Sequence, residues 1–344
     1  MPRFLVIGSF VLLPLMIPFL LWEEYSDSPE IVVTDKIDGV NFVSPRQDFP
    51  GHWMDSVHQI NADWVSIVPY AFSRGHVPEV TFDHDRQWWG ERSEGTATLI
   101  TKAQAAGFKT MIKPHVWVRG DGWPGDYDLD TEEEWKAWEV SYSDYILTNA
   151  KTADSLNVDM LCIGTEYRQA VKKRPAFWSR LIKDCRQVYD GKLTYAANWD
   201  NYDNVTFWGE LDYIGVDAYF PVCDLKTPNI TTLKAGWQPV KAEMKKLSDK
   251  HQRPIIFTEY GYRSADYSAA GHWELDQQEL MLNLEGQAIC YQALYEEFWT
   301  ENWMAGGFLW KWHPNPSTSG GEDNTRYTPQ NKPAMAVIRK WYGQ

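Results

Sequence analysis

Cysteine is scarce in this chain and poorly spaced for chemistry. There are four (Cys162, Cys185, Cys223 and Cys290), none in a CxxC or His-linked spacing, which argues against zinc; no metal site is expected. Cys162 lies inside an apolar run and reads as a small buried hydrophobe. Basic residues are also in deficit: 33 Lys and Arg stand against 47 Asp and Glu, a net charge of −14. Phosphate backbones are bound mainly through Lys and Arg, so this balance argues against a nucleic-acid partner. Absent as well are GxGxxG and Walker motifs, and with them a phosphate-cradling loop. No cofactor is expected. Neither an internal repeat nor a second domain is apparent.

Long uncharged runs are confined to one place. Arg3 is followed by uncharged residues from Phe4 to Trp22 and then by Glu23, Glu24 and Asp27. About 20 apolar residues can span a bilayer, and a cation before the run with acids after it favours an inside N-terminus and an exported body. No small-x-small cleavage site precedes the acids, and no cysteine is near enough to carry a lipid. We therefore expect a signal anchor over 1–22, with a cleaved signal peptide as the rival reading. The body would be membrane-anchored through this segment, facing the periplasm or cell exterior, or secreted. Export permits a disulfide, although the sequence does not select a pair.

Aromatics, by contrast, are abundant, with 19 Trp and 18 Tyr. They fill cores, and their flat faces also stack on sugars. After a linker over 23–35, strand-like and helix-like patches alternate through 36–344. Strand candidates are 37–43, 64–70, 109–117, 158–164, 192–198, 211–219, 255–260 and 306–312, short runs rich in Val, Ile and aromatics. Thr131 with Glu134 forms a capping box ahead of one helix, and Asp276 with Glu279 gives a similar signal ahead of 280–298. Pro175 suits the first turn of a helix that Asp190-Gly191 ends. Near-continuous apolar strands alternating with helices predict an α/β fold, a single (β/α)8 TIM barrel. An open doubly wound sheet would want a Gly-rich loop after an early strand. Residues 83–93, 120–130 and 315–324 read as long loops at the barrel's functional rim.

Two strand candidates end in the same triplet. The run Ile255-Ile-Phe-Thr-Glu259-Tyr260 delivers a carboxylate to a strand tip, and Thr165-Glu166-Tyr167 repeats the pattern. Burying an unpaired carboxylate is costly, so each needs a reason. A salt bridge would supply one for a single Glu. Two at matching ends of strands four and seven point instead to the paired carboxylates of glycoside hydrolysis.

The same placement rule nominates other rim residues. Tyr219 can hold the nucleophile's carboxylate, Lys113 and His115 can bind sugar hydroxyls, and Asn198 and Trp199 can supply a hydroxyl ligand and a stacking surface. Trp310 and Trp312, two apart, should share a face, and Trp310 is the expected pocket floor. Arg74 is within reach of a substrate oxygen but better suited to a surface ion pair. Packing or backbone bonding is the competing account of each.

These residues resemble the retaining barrel glycosidases with an acid/base on strand four and a nucleophile on strand seven. Within that clan the chain looks most like glycoside hydrolase family 113, whose activity is endo-β-mannanase. The resemblance covers about 36–344 and rests on Gly39-Val-Asn-Phe42, Lys113-Pro-His115, Gly164-Thr-Glu166, Asp217-Ala-Tyr219, Thr258-Glu259-Tyr-Gly261 and Phe308-Leu-Trp310. It implies Glu166 as acid/base, Glu259 as nucleophile, Tyr219 as its hydrogen-bond partner and Trp310 as the sugar platform. The substrate it implies is a β-linked hexose polymer or oligosaccharide, above all β-1,4-mannan. In one place the chain departs from the clan: Thr165 stands where an Asn usually binds the 2-hydroxyl. An envelope-anchored transglycosylase or carbohydrate-binding barrel acting on another β-glycan is the alternative.

Overall fold

In the computed structural model, residues 31–120, 122–271 and 281–344 are described. The expected anchor over 1–22 and the Asp276/Glu279 helix start lie outside them. Among the described residues no helix is long and apolar enough to cross a membrane.

Eight parallel strands close into a barrel: β1 (Ile37–Phe42), β2 (Trp64–Ile67), β3 (Lys109–Ile112), β4 (Met160–Thr165), β5 (Lys192–Asn198), β6 (Ile214–Asp217), β7 (Ile255–Tyr260) and β8 (Met304–Trp312). Neighbours follow chain order, and β1 pairs with β8 to seal the ring. Every residue of β1, β4 and β7 is buried, as expected of strands covered on both faces. The outer ring comprises α1 (Ser93–Ala105), α2 (Glu132–Ser155), α3 (Arg168–Lys173), α4 (Pro175–Val188), α5 (Ile230–His251), α6 (Leu284–Phe298) and α7 (Ala334–Trp341). A 3-10 helix, Gly51–Ile60, joins β1 to β2, and only short 3-10 turns join β5 to β6.

Local signals account for several of these boundaries. Thr131 Oγ1 accepts from Glu134 N at 3.2 Å while Glu134 Oε2 accepts from Thr131 N at 2.9 Å, the expected capping box. Pro175 occupies the first turn of α4. The start of α6 is set by Asn283, whose Oδ1 accepts from Gly286 N at 2.7 Å.

Two strand candidates are each split in two. Proline offers no N–H to a ladder, and Pro69 and Pro114 end β2 and β3 early. The chain resumes as a three-stranded rim sheet of Val77–Thr81, Tyr70–Arg74 and His115–Arg119. The candidate 211–219 shortens to Ile214–Asp217. All four cysteines are buried and unpaired.

The barrel holds two layers of contents. Ile37, Trp64, Met111, Met160, Cys162, Ala196, Ile256, Ala305 and Phe308 form an apolar plug separate from the core beneath the helices. Gly39 is required beside it, because a Cβ there would overlap the Phe308 ring. Nearer the strands' C-terminal ends the buried residues turn polar: Asn41, Lys113, Asp217 and Glu259. The plug closes the barrel below, so chemistry is confined to the upper rim.

Candidate active site

Irregularities in the ladders aim both glutamates. Between Cys162 and Thr165, three residues of β4 advance against two of β5. Glu166 follows directly, with its N–H on Ala196 O at 2.8 Å and φ at +59°. That left-handed backbone costs a non-glycine residue roughly 1–2 kcal/mol, and such conformations persist where the surroundings over-determine them, often at functional sites. In β7, the step from Phe257 to Glu259 faces a single step of β6, and the step from Phe257 to Tyr260 faces two of β8. Bulges of this kind re-aim side chains. Phe257 and Tyr260 pack on helical rings, Phe298 and Trp299, and Glu259 meets the polar layer.

Three side chains converge on Glu259. Tyr219 OH donates to Oε2 at 2.8 Å. Lys113 Nζ is in direct contact with Oε1, and His115 Nε2 lies 3.3 Å from the same oxygen. Lys113 also approaches Asp217 Oδ1 at 3.4 Å and His115 Nε2 at 3.1 Å. Thr258 Oγ1 donates to Asp217 Oδ1 at 2.8 Å, and Asn41 Nδ2 ties down the strand by donating to Thr258 O at 3.0 Å and Phe308 O at 3.2 Å.

This arrangement drives the carboxyls apart in acidity. Burial raises Glu259, but the Lys113 charge and the His115 and Lys113 contacts outweigh it and hold the carboxyl at about 2. Burial and then the negative charge of Glu259 push Glu166 up to about 7, against the lowering effect of its bond from Trp123. Asp217 is raised well above the usual range by burial and by Glu259. One ammonium thus serves two carboxyls, and Glu259, which Lys113 approaches more closely, retains the charge. Burial lowers Lys113, yet Asp217 and Glu259 more than restore it, and it stays charged. Burial, followed by the Lys113 charge, lowers His115 to about 4, so its ring is neutral near pH 7. Below about pH 7 a protonated carboxyl is therefore paired with an ionised one, the pairing that acid-assisted nucleophilic displacement needs.

The other nominated residues divide. Trp310 stacks on His115 at 5.8 Å and 7°, beside the pair. Thr165 Oγ1 donates to Pro114 O at 3.3 Å. Asn198 Nδ2 donates to Asp200 Oδ1 at 2.9 Å, and Trp199 packs edge-on against Phe220 at 5.8 Å. Trp312 does not share a face with Trp310. Two steps along β1 from Val40 to Phe42 face three along β8 from Leu309 to Trp312, and this bulge breaks the alternation. Trp312 is fully buried and donates to Ser56 Oγ at 3.0 Å. Arg74 is the exposed last residue of the rim strand Tyr70–Arg74.

Sequence reasoning missed Trp123, whose Nε1 donates to Glu166 Oε2 at 2.5 Å. Arg168 lies over the Trp123 ring at 4.9 Å and contacts both Asp126 and Asp200, bracing the loop against the turn that carries Glu166. Asp217 was visible only as part of a motif. Among the described residues no group of three or more His, Cys, Asp or Glu is arranged to hold a metal ion.

The sequence model of Glycoside Hydrolase Family 113 matches residues 46–332. The GH113 β-mannanase AaManA from Alicyclobacillus acidocaldarius, solved with ManMIm, superposes with a TM-score of 0.79 at 24% identity, over 90% of this chain and 98% of that one. A GH113 β-1,4-mannanase complex gives 0.77 at 26% identity, over 90% and 99%. The β-glucuronidase of Faecalibacterium prausnitzii, at 15% identity and a TM-score of 0.56, shares the fold over 90% of this chain and 50% of its own. No curated protein matches the sequence.

Proposed function

The chain belongs to glycoside hydrolase family 113 and is a glycoside hydrolase; on that premise we propose that it cleaves β-1,4-mannan with retention, Glu166 acting as acid/base and Glu259 as nucleophile. The observation that carries this reading is the opposed ionisation of the pair, about 7 for Glu166 and about 2 for Glu259. Protonated Glu166 gives its proton to the glycosidic oxygen as the bond to the anomeric carbon breaks. Glu259 attacks that carbon from the opposite face and forms a glycosyl ester. With the ester's negative charge gone, Glu166, now a carboxylate, takes a proton from water, and the resulting attack releases the sugar with its original configuration. Tyr219, Lys113 and His115 hold the nucleophile ionised and oriented. Trp310 offers a face on which a sugar can stack.

Mannan is supported by the names of the similar structures, two of which are GH113 mannanases at 24% and 26% identity. Thr165 precedes the acid/base and presents a shorter donor than asparagine, which fits an axial 2-hydroxyl no worse than an equatorial one. The apolar run over 4–22 supports export of the enzyme, anchored or secreted, and the N-terminal residue of the exported protein distinguishes the two.

The test is cleavage of defined β-mannan, β-glucan and xylan oligosaccharides, followed by reducing-end assay and by NMR of the anomeric configuration first released. We expect mannan to lead and the β-anomer to appear first. Hydrolysis surviving in Glu259→Ala, or release of the α-anomer, would refute the mechanism.

A further inference from the structure

The cleft continues beyond Trp310 into walls that do not match the charge of the whole chain. A cavity of about 390 Å³ is bounded by Trp310, Lys311, Trp88, Trp117 and Glu91, and it meets a trough of about 700 Å³ at His313, where Arg46 and Arg326 line the wall. In a chain with 47 acids and 33 bases, acids should dominate such a lining. Here Lys311, Arg46 and Arg326 face it, and none has a carboxylate within ion-pair distance among the described residues. Of the two acids, Asp48 is taken by Lys102. Glu91 spends an oxygen on Trp88 N at 3.3 Å, and burial raises its carboxyl.

The cations also burden one another. Burial lowers Lys311, Glu259 opposes the shift and Arg326 adds to it. His313 is depressed to about 4 by burial, then by Lys311, Arg326 and Lys332. Lys311 Nζ rests 5.2 Å from the centre of the Trp310 ring, and Arg46 sits over Trp88 at 4.8 Å. Such contacts with a ring face are weaker than a charge-assisted bidentate bond to a carboxylate. Lys311 is half-buried while Arg46 and Arg326 are exposed along the wall; like charges gathered at one pocket without a carboxylate in ion-pair distance among the described residues are suited to an incoming anion, and the guanidinium fork matches a carboxylate. The aromatic walls suit a sugar ring.

We propose that this pocket binds a sugar carrying a carboxylate, a uronic acid unit or an acidic substituent, next to the residue that lies between Glu166 and Glu259, with Lys311 and Arg326 as its recognition groups. The proposal rests on the assignment of that pair as the catalytic centre. The preferred substrate is then an acidic β-linked polysaccharide rather than a wholly neutral one.

The test compares kcat/KM of the full chain on three mannose-containing oligosaccharides of equal length: one neutral, one bearing a glucuronic acid residue and one bearing a sulfate ester. We expect the carboxylated substrate to lead the neutral one by about tenfold or more at low salt, with the ratio shrinking as salt rises. Lys311→Met and Arg326→Gln should each cut that ratio about tenfold, and Lys311→Arg should keep it. A wild-type ratio of one or less, a ratio unmoved in both neutralising variants, or a preference for sulfate over carboxylate overturns the proposal. Calorimetric titration of the glucuronate-bearing oligosaccharide into Glu166→Gln separates this from the hydrolytic reading. Salt-sensitive binding lost on adding Lys311→Met, without turnover of any substrate by the wild type, keeps the acidic site and removes the catalytic assignment. Turnover of the neutral oligosaccharide with no acidic preference does the reverse.

Discussion

At Glu259 the decisive residue is Lys113, an amine with no exposed surface that two carboxylates share. Removing one partner of a buried ion pair leaves an uncompensated charge. Lys113→Met should therefore let the Glu259 carboxyl rise from about 2. Under the proposed mechanism the productive state has Glu259 ionised and Glu166 protonated, so kcat/KM should be flat from above about 2 to below about 7 and fall on either side. In the variant we expect the acid limb to move up by at least about one pH unit and the plateau to drop roughly 100-fold. An acid limb that stays put while the plateau falls would mean that Lys113 serves folding and not the ionisation of Glu259. The two carboxylates could be read from strand-end sequence, because a charged residue closing an apolar run is a local anomaly. The sharing of Lys113 with Asp217 could not, because the two stand 104 positions apart and meet only once the barrel closes. Lys113 and His115 were expected to face sugar hydroxyls, whereas both are engaged with Glu259.

Among the elements, the loop after the rim strand His115–Arg119 holds the proposed acid, Glu166. Its Trp123 donates to Glu166 and is braced by Arg168. A hydrogen bond to the ionised form lowers a carboxyl's pKa, so Trp123→Phe should raise Glu166 further and shift the alkaline limb of the pH–rate profile upward by about one unit. A limb that stays in place, or moves down, would show that Trp123 does not govern the acid's ionisation. Nothing in the local pattern singled out this tryptophan among 19; residues 120–130 read simply as a long loop. The split of the second and third strand candidates at Pro69 and Pro114 was in principle legible, since proline cannot extend a ladder. The bulge that parts Trp310 from Trp312 was not, because it depends on register against β1.

For the molecule as a whole, closure of the ring depends on the chain's last residues. Tyr342 OH donates to Gly39 O at 2.9 Å, Gly343 N to Asp38 Oδ2 at 2.7 Å, and Asn61 Nδ2 to Arg339 O at 3.0 Å. Ile338 and Tyr342 are buried. Deleting 334–344 would expose the outer face of β1 and leave buried polar groups unpaired. We expect the shortened chain to lose cooperative thermal unfolding or to aggregate on expression; a soluble product melting within a few degrees of the full chain would count against this role. The number of barrel strands, the fold class and the position of two rim glutamates follow from periodicity, turn residues and capping boxes, all of which act over a few neighbouring residues. The charge states of those glutamates, the cationic pocket beyond Trp310 and the faces taken by Trp310 and Trp312 depend on closure, because electrostatics and register are settled by groups far apart in the chain that only the closed barrel brings within a few ångströms.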